Sequence, residues 1–189
     1  MTEDKDFTNI NFIETGIDDT EYEQCRFINC NFEEANLSMI KFVDCVFKGC
    51  NLSLAKLGET VFRDTQFVDC KMLGLHFEHC HEFGLTANFD NCMLNHSCFY
   101  RRKIKKTNIQ NCKLIECDFT EADMSESVLQ NNDFHGAIFD RTNLQKADLR
   151  GSFNYIINPA INQIKKANFS LHGVAGLLHQ YDIKIDVSS

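Results

Sequence analysis

The sequence contains no tryptophan and one proline among 189 residues, and its aromatic content comes mainly from seventeen phenylalanines. No apolar run approaches the roughly 20 residues that a membrane-spanning helix requires. The first residues, MTEDKDF, are polar and acidic, unlike a secretory signal. These absences predict a soluble protein without a membrane segment, most simply a cytoplasmic one.

The chain also lacks an excess of basic residues. Its net charge is −8, and residues 1–80 contain fifteen Asp and Glu against seven Lys and Arg. Because contacts to phosphates need a basic surface, this distribution argues against direct binding of nucleic acid. It is compatible with binding to a protein that itself binds nucleic acid.

Signatures of catalysis are missing as well. The sequence has no nucleophile elbow and no glycine-rich phosphate loop, so we expect no catalytic residues, no cofactor and no enzymatic activity.

What the sequence does contain is a repeat of five residues. In residues 25–57 the third place of each five is large and apolar, and the place two before it is nearly always small. We call these places the centre and the small slot. The centres of this stretch are Phe27, Phe32, Leu37, Phe42, Phe47, Leu52 and Leu57. A period of five is neither the 3.6 of a helix nor the 2 of a strand, so it indicates an internal structural repeat.

The register extends over residues 1–150 with one interruption. Centres follow each other from Phe7 to Phe77 and again from Phe89 to Leu149, but the segment between Phe77 and Phe89 has two residues too many. We therefore predict a phase slip or small bulge at residues 78–88. Arg102 and Asn132 are the two residues that break the small slot after it.

Four faces of five residues make a square coil of about 20 residues, and stacked coils bond to each other like adjacent parallel strands. The predicted fold is therefore an all-β quadrilateral β-helix, in which equivalent residues such as Phe7, Phe27 and Phe47 stack in columns. Eight of the ten cysteines occupy the small slot, which predicts buried, reduced thiols rather than disulfides.

Residues 151–189 follow a different pattern and predict a C-terminal cap. Asn158 and Pro159 are typical of a helix start, and Ser170 is a candidate cap for a second helix. An apolar stripe on that helix and a closing strand at Ile183 and Ile185 favour symmetric dimerisation as well as capping. The predicted dimer interface comprises Val174, Leu177, Leu178, Tyr181 and Ile183.

The repeat resembles that of the pentapeptide-repeat family, written A(D/N)LxX, as in Ala35-Asn36-Leu37 and Ala147-Asp148-Leu149. The C-terminal run from Phe153 to Asp186 is similar to the tails of chromosomal Qnr-type proteins, a subgroup that includes the quinolone-resistance proteins and, more distantly, MfpA. This resemblance implies a right-handed β-helix, a C-terminal homodimer, and a rod that mimics DNA and engages DNA gyrase or topoisomerase IV.

Two features depart from the plasmid-type Qnr proteins. Both projecting loops of those proteins are absent here, because Phe47 leads directly to Leu52 and Phe99 directly to Ile104. A basic run also interrupts the acidic rod, and we consider it either a solvated surface or a partner contact. It comprises Arg101, Arg102, Lys103, Lys105 and Lys106.

A histidine-rich segment, His76 to Glu82, contains the residue types that zinc prefers. If the five-residue register continues through this segment, Cys80 points inward while His76 and His79 project outward. We therefore expect these ligands to diverge and assign no metal.

We therefore predict a DNA-mimic protein that binds a type II topoisomerase and protects it from quinolones. The alternative is a pentapeptide-repeat scaffold for another protein partner. The predicted mimic surface comprises Glu33, Glu34, Asp44, Asp64 and Asp69.

Overall fold

Each run of five residues forms one face of a coil, and four faces complete a coil of 20 residues. In the computed structural model, which describes residues 1–186, Phe7 lies in register with Phe27, Phe27 with Phe47, and Phe47 with Phe67. Another column of parallel bridges runs from Asn11 to Phe153 in steps of 20 residues, except for a step of 22 from Lys71 to Met93 across the phase slip. The quadrilateral β-helix that the sequence predicts is thereby confirmed.

The regular elements are short because each face is short. The strands are β1 (Thr2–Glu3), β2 (Asp6–Thr8), β3 (Glu21–Glu23), β4 (Arg26–Ile28), β5 (Lys41–Val43), β6 (Val46–Lys48), β7 (Val61–Val68), β8 (Leu85–Asp90) and β9 (Ile109–Gln110). The helices are α1 (Phe12–Thr15), α2 (Ala175–Leu178) and three 3₁₀ turns (Phe77–His79, Leu171–Gly173, His179–Tyr181). All strand pairs are parallel, in the order β1-β3-β5-β7-β6-β4-β2, with β8 on β7 and β9 on β8. Within the described residues, no helix has the length and apolar character to cross a bilayer.

Left-handed backbone turns the chain at the corners of the coil. Outside the phase slip, every centre from Tyr22 to Leu149 is followed two residues later by a residue with φ between +50° and +77°. Leu54 adopts this conformation (φ 58°) although bulky residues disfavour it. Its N–H donates to the carbonyl oxygen of Leu73 in the next coil at 2.9 Å. Hydrogen bonds between coils therefore hold a backbone conformation that local preference does not favour.

The centres form the core as stacked rings. Phe7 and Phe27 stack at 4.9 Å between ring centroids, Phe27 and Phe47 at 4.6 Å, and Phe47 and Phe67 at 5.0 Å. Rings of adjacent columns meet edge to face, as Phe42 and Phe47 do at 5.2 Å. Both arrangements are favourable for aromatic pairs beyond the burial of their area.

In most repeats the small slot holds Ala or, more often, a small side chain that can donate a hydrogen bond. Cys50 Sγ donates to the carbonyl oxygen of Phe27 at 3.2 Å, and Thr60 Oγ1 donates to that of Leu37 at 2.8 Å. Asn132 Nδ2 donates to the carbonyl oxygen of Ile109 at 2.7 Å. Asn132 therefore breaks the residue pattern of the small slot but makes the same kind of hydrogen bond. All ten cysteines are free thiols and nine are buried, which confirms their predicted packing role.

At the phase slip, the pattern of inward-facing residues changes from the five-residue repeat to the two-residue alternation of a strand. Along β8, Leu85, Ala87 and Phe89 point inward and the residues between them point outward. The register of β8 on β7 shifts between Arg63 and Thr65. The extra residues are accommodated in the turn at 81–84 that precedes β8.

The C-terminal segment differs in part from its prediction. Residues 158–162 form a turn rather than a helix, in which Asn158 Oδ1 accepts from the N–H of Ala160 at 2.9 Å. Ser170 does not cap the helix that follows; its Oγ accepts from the N–H of Gly151 at 2.7 Å. The predicted strand at Ile183 and Ile185 is wrong, because residues 182–186 form no regular element.

Candidate interaction surfaces

The predicted acidic residues lie on three successive edges of the coil. Asp44 and Asp64 occupy one corner in consecutive coils, Asp69 the next corner, and Glu33 with Glu34 the corner after that. None of these five carboxylates forms an ion pair within residues 1–186. Asp69 accepts a hydrogen bond from Asn91 Nδ2 at 2.7 Å. The acidic surface is therefore not one flat patch; it extends around three edges of the N-terminal half of the rod.

The predicted basic patch has to be corrected at Arg102. This side chain is buried, and its guanidinium donates to the carbonyl oxygens of Cys80 at 3.1 Å and His81 at 2.6 Å. Arg102 therefore contacts the turn of the phase slip and does not belong to an exposed patch. Arg101 is exposed but paired, with its Nε 2.6 Å from Glu121 Oε2. Three exposed lysines of the run remain, at positions 103, 105 and 106.

The fourth edge carries an apolar projection that the repeat did not predict. Phe83, at the tip of the phase slip, is 76% exposed, and Met39 is 72% exposed. Both side chains line one shallow groove. The Lys103 ammonium lies 5.9 Å from the centroid of the Phe83 ring, within range of a cation–π contact. The phase-slip position was the only sequence signal for this surface.

The histidine-rich segment is only partly as predicted. Cys80 is buried and points inward, as expected, and burial raises the pKa of its thiol to about 12. His76, Glu78 and His79, however, converge on the surface, with their ligand atoms within 4.8 Å of one another.

The predicted dimer residues lie in the C-terminal segment with unequal exposure. Val174, Leu177 and Leu178 are half-buried, and Leu177 packs against the core. Tyr181 and Ile183 are exposed. The stripe is therefore divided between one side that packs on the last coil and one side that faces outward.

Comparison with known proteins identifies the repeat. A model of the pentapeptide repeat region matches residues 20–82, and a model of pentapeptide repeats matches residues 103–131 and 117–152. Together these matches cover more than half of the chain. The chain belongs to the pentapeptide-repeat family. No curated protein matches it at a significant level.

A solved structure of a pentapeptide-repeat protein shares the fold. A trypsin-treated variant of QnrB1, described as a plasmid-mediated fluoroquinolone resistance protein, is 18% identical with a TM-score of 0.62, covering 98% of this chain and 91% of that one. HetL, described as involved in heterocyst differentiation regulation in the cyanobacterium Nostoc, is 16% identical with a TM-score of 0.42, covering 88% and 84%. At 18% identity the likeness to QnrB1 concerns the β-helix alone, which agrees with the right-handed quadrilateral form expected for the family.

Proposed function

We propose that this pentapeptide-repeat protein is a non-enzymatic DNA mimic that binds a type II topoisomerase, DNA gyrase or topoisomerase IV, and protects it from quinolones. The observation that carries the proposal is the row of unpaired carboxylates at the corners of the N-terminal coils. The description of QnrB1 as a fluoroquinolone resistance protein supports the same proposal.

The charge density of the N-terminal half suits this role. Residues 1–80 have a net charge of −8. They form four coils that rise about 19 Å at about 4.8 Å per coil, which gives about 0.4 negative charges per Å. Duplex DNA carries about 0.6 per Å of helix axis. The rod therefore presents about two-thirds of the charge density of the ligand that it would replace.

The C-terminal half is a poorer mimic. Residues 81–150 contain ten acidic and nine basic residues, a balance of −1. Several of the carboxylates there are paired within the protein, for example Glu121 with Arg101 and Arg141. The proposed contact with the topoisomerase therefore lies in the first four coils.

A supercoiling assay with gyrase and a fluoroquinolone tests the proposal. The double variant Asp44→Lys/Asp64→Lys reverses two unpaired corner charges, so protection should fall at least about tenfold, because charge complementarity drives the encounter. The matched control is Glu116→Lys/Glu126→Lys, which makes the same change of charge at corners whose carboxylates pair with His96 and Lys146. Equal loss in both variants, or no effect of the unmodified protein on gyrase or topoisomerase IV, would contradict the proposal.

Homodimerisation through the C-terminus forms part of this proposal, because two rods joined at their C-termini would present two acidic surfaces, one in each N-terminal half. A cytoplasmic location is proposed with it, since gyrase and reduced thiols are found there.

The exposed Phe83 favours a second candidate function, a scaffold for another protein partner. Exposed aromatic side chains are common anchors at protein interfaces. In this case Phe83→Ser should abolish binding of that partner, while the Asp44→Lys/Asp64→Lys variant keeps it.

A further inference from the structure

Three metal-ligating side chains meet on the edge of the coil that does not carry the acidic surface. The potential ligand atoms of His76, Glu78 and His79 all lie within 4.8 Å of one another. His76 Nδ1 lies 2.8 Å from Glu78 Oε1, and the two imidazole rings stack with 5.4 Å between centroids. These residues lie outside the surfaces used by the proposed function.

The local backbone explains why they meet. From Tyr22 onward, the other repeats turn with a left-handed residue, whereas here Phe77–His79 form a 3₁₀ turn that starts after His76. The N–H of His79 donates to the carbonyl oxygen of His76 at 3.1 Å. Residues three apart eclipse each other in a 3₁₀ helix, so both imidazoles lie on one side of the turn. Glu78, between them, is positioned by the same turn.

The carboxylate of Glu78 is incompletely satisfied. Its Oε1 contacts His76, but its Oε2 is buried and has no hydrogen-bond partner. A buried carboxylate oxygen without a partner is costly, and a cation bound beside it would remove that cost. The half-buried Cys98 is the register partner of His76 in the next coil. A thiol carries no positive charge in either protonation state, so Cys98 supplies no cation for this carboxylate.

We propose that His76, Glu78 and His79 bind a divalent transition-metal cation, for which zinc is the natural probe. Two imidazole nitrogens and one carboxylate oxygen are a donor set typical of zinc sites that keep a fourth position open. Bond lengths of about 2.0–2.1 Å place tetrahedral ligands about 3.4 Å apart, so the 2.8 Å contact between His76 and Glu78 must widen by about 0.6 Å. His76 and His79 are exposed and can make this adjustment.

Calorimetric titration of zinc chloride into the chelator-treated full chain tests the proposal. We expect one zinc per chain, and a loss of affinity of at least about tenfold in His76→Ala, in His79→Ala and in Glu78→Gln, since losing a ligand costs no less than losing its supporting hydrogen bonds. Cobalt titration gives a second measurement, because tetrahedral coordination has intense visible absorption that each variant should lose.

The chain offers a matched control in His96, which contacts Glu116 at 3.1 Å but belongs to no group of three potential ligands within residues 1–186. His96→Ala should leave zinc affinity and the cobalt spectrum unchanged, and Cys98→Ser should do so too. Circular dichroism confirms that each variant is folded. Zinc binding of equal affinity in a folded His76→Ala/His79→Ala variant, or no binding by the unmodified chain, would overturn the proposal, and neither result bears on the gyrase assay.

Discussion

Arg102 Nη2 donates a hydrogen bond to the carbonyl oxygen of His81 at 2.6 Å, across the 21 residues that include the phase slip. Its Nη1 reaches the carbonyl oxygen of Cys80, one residue earlier. A guanidinium thus fills a slot that elsewhere holds mostly Cys, Ser, Thr or Ala, and it donates hydrogen bonds to backbone carbonyl oxygens of the irregular turn. Arg102 therefore stabilises the turn.

We predict that Arg102→Met destabilises the protein by about 1–3 kcal/mol, because it keeps the aliphatic volume but leaves the buried carbonyl oxygen of Cys80 without its hydrogen bond. Urea denaturation followed by circular dichroism measures this change. The adjacent Arg101→Met is the control: it removes an exposed ion pair with Glu121 and an exposed contact with the Tyr100 ring, and should cost much less stability than Arg102→Met. Equal costs for the two variants would show that Arg102 does not support the turn.

Buried thiols should make the protein sensitive to alkaline pH. Burial raises the pKa of Cys45 and of Cys117 to about 12, from an ordinary value of 9.0. Above pH 9 the unfolded chain releases these protons while the folded chain keeps them. The free energy of unfolding therefore falls between pH 9 and 12, by about 1.4 kcal/mol per thiol and pH unit.

Urea midpoints measured from pH 7.5 to 10.5 test this expectation. The variant Cys45→Ala/Cys117→Ala is the comparison, because Ala fills the same slot at Ala122 and Ala147. Its stability should decline less steeply with pH. Parallel curves for the two proteins would refute the assignment of the alkaline transition to these thiols.

The five-residue repeat was sufficient to predict the coil, but it did not predict the backbone conformation at the corners. A Phe every 20 residues is enough to predict a column of stacked rings, because equivalent residues of successive coils lie beside each other in a parallel register. The corners accept Leu54, Glu34 and Asp44 alike, because inter-coil hydrogen bonds rather than side-chain preference impose their left-handed backbone. No residue pattern therefore distinguishes an ordinary corner from one that makes a 3₁₀ turn.

The same limit explains the two errors at functional residues. His76 and His79 converge only because their corner departs from the repeat, which the spacing does not reveal. Ile183 and Ile185 alternate like a strand, but alternation predicts a strand only when a partner edge is available. The repeat places Arg102 in the inward-facing small slot, so its burial could be predicted from the sequence. Its hydrogen-bond acceptors could not, because they lie in a turn that does not follow the repeat.

The C-terminal segment should depend on two glycines that contact Tyr155. A Cβ added at Gly176 would lie 2.1 Å from the carbonyl oxygen of Tyr155, and one added at Gly173 would lie 2.1 Å from its Oη. We expect Gly176→Ala to displace residues 171–181 from the last coil, which increases their hydrogen exchange and proteolysis. The exposed Ala175→Ser should change neither. Unchanged protection in Gly176→Ala would mean that the segment does not need this close approach.

The unequal exposure of the apolar stripe gives a sharper test of dimerisation. Ile183 and Tyr181 are exposed and have no packing role in the monomer, so Tyr181→Asp/Ile183→Asp should produce folded monomers. Leu177 packs on the core, and Leu177→Asp should instead unfold the segment by burying a charge. Light scattering gives the mass and circular dichroism the fold. Met39→Asp, which alters a similarly exposed residue in the N-terminal half, should remain a dimer; a dimeric Tyr181→Asp/Ile183→Asp variant would place the interface elsewhere.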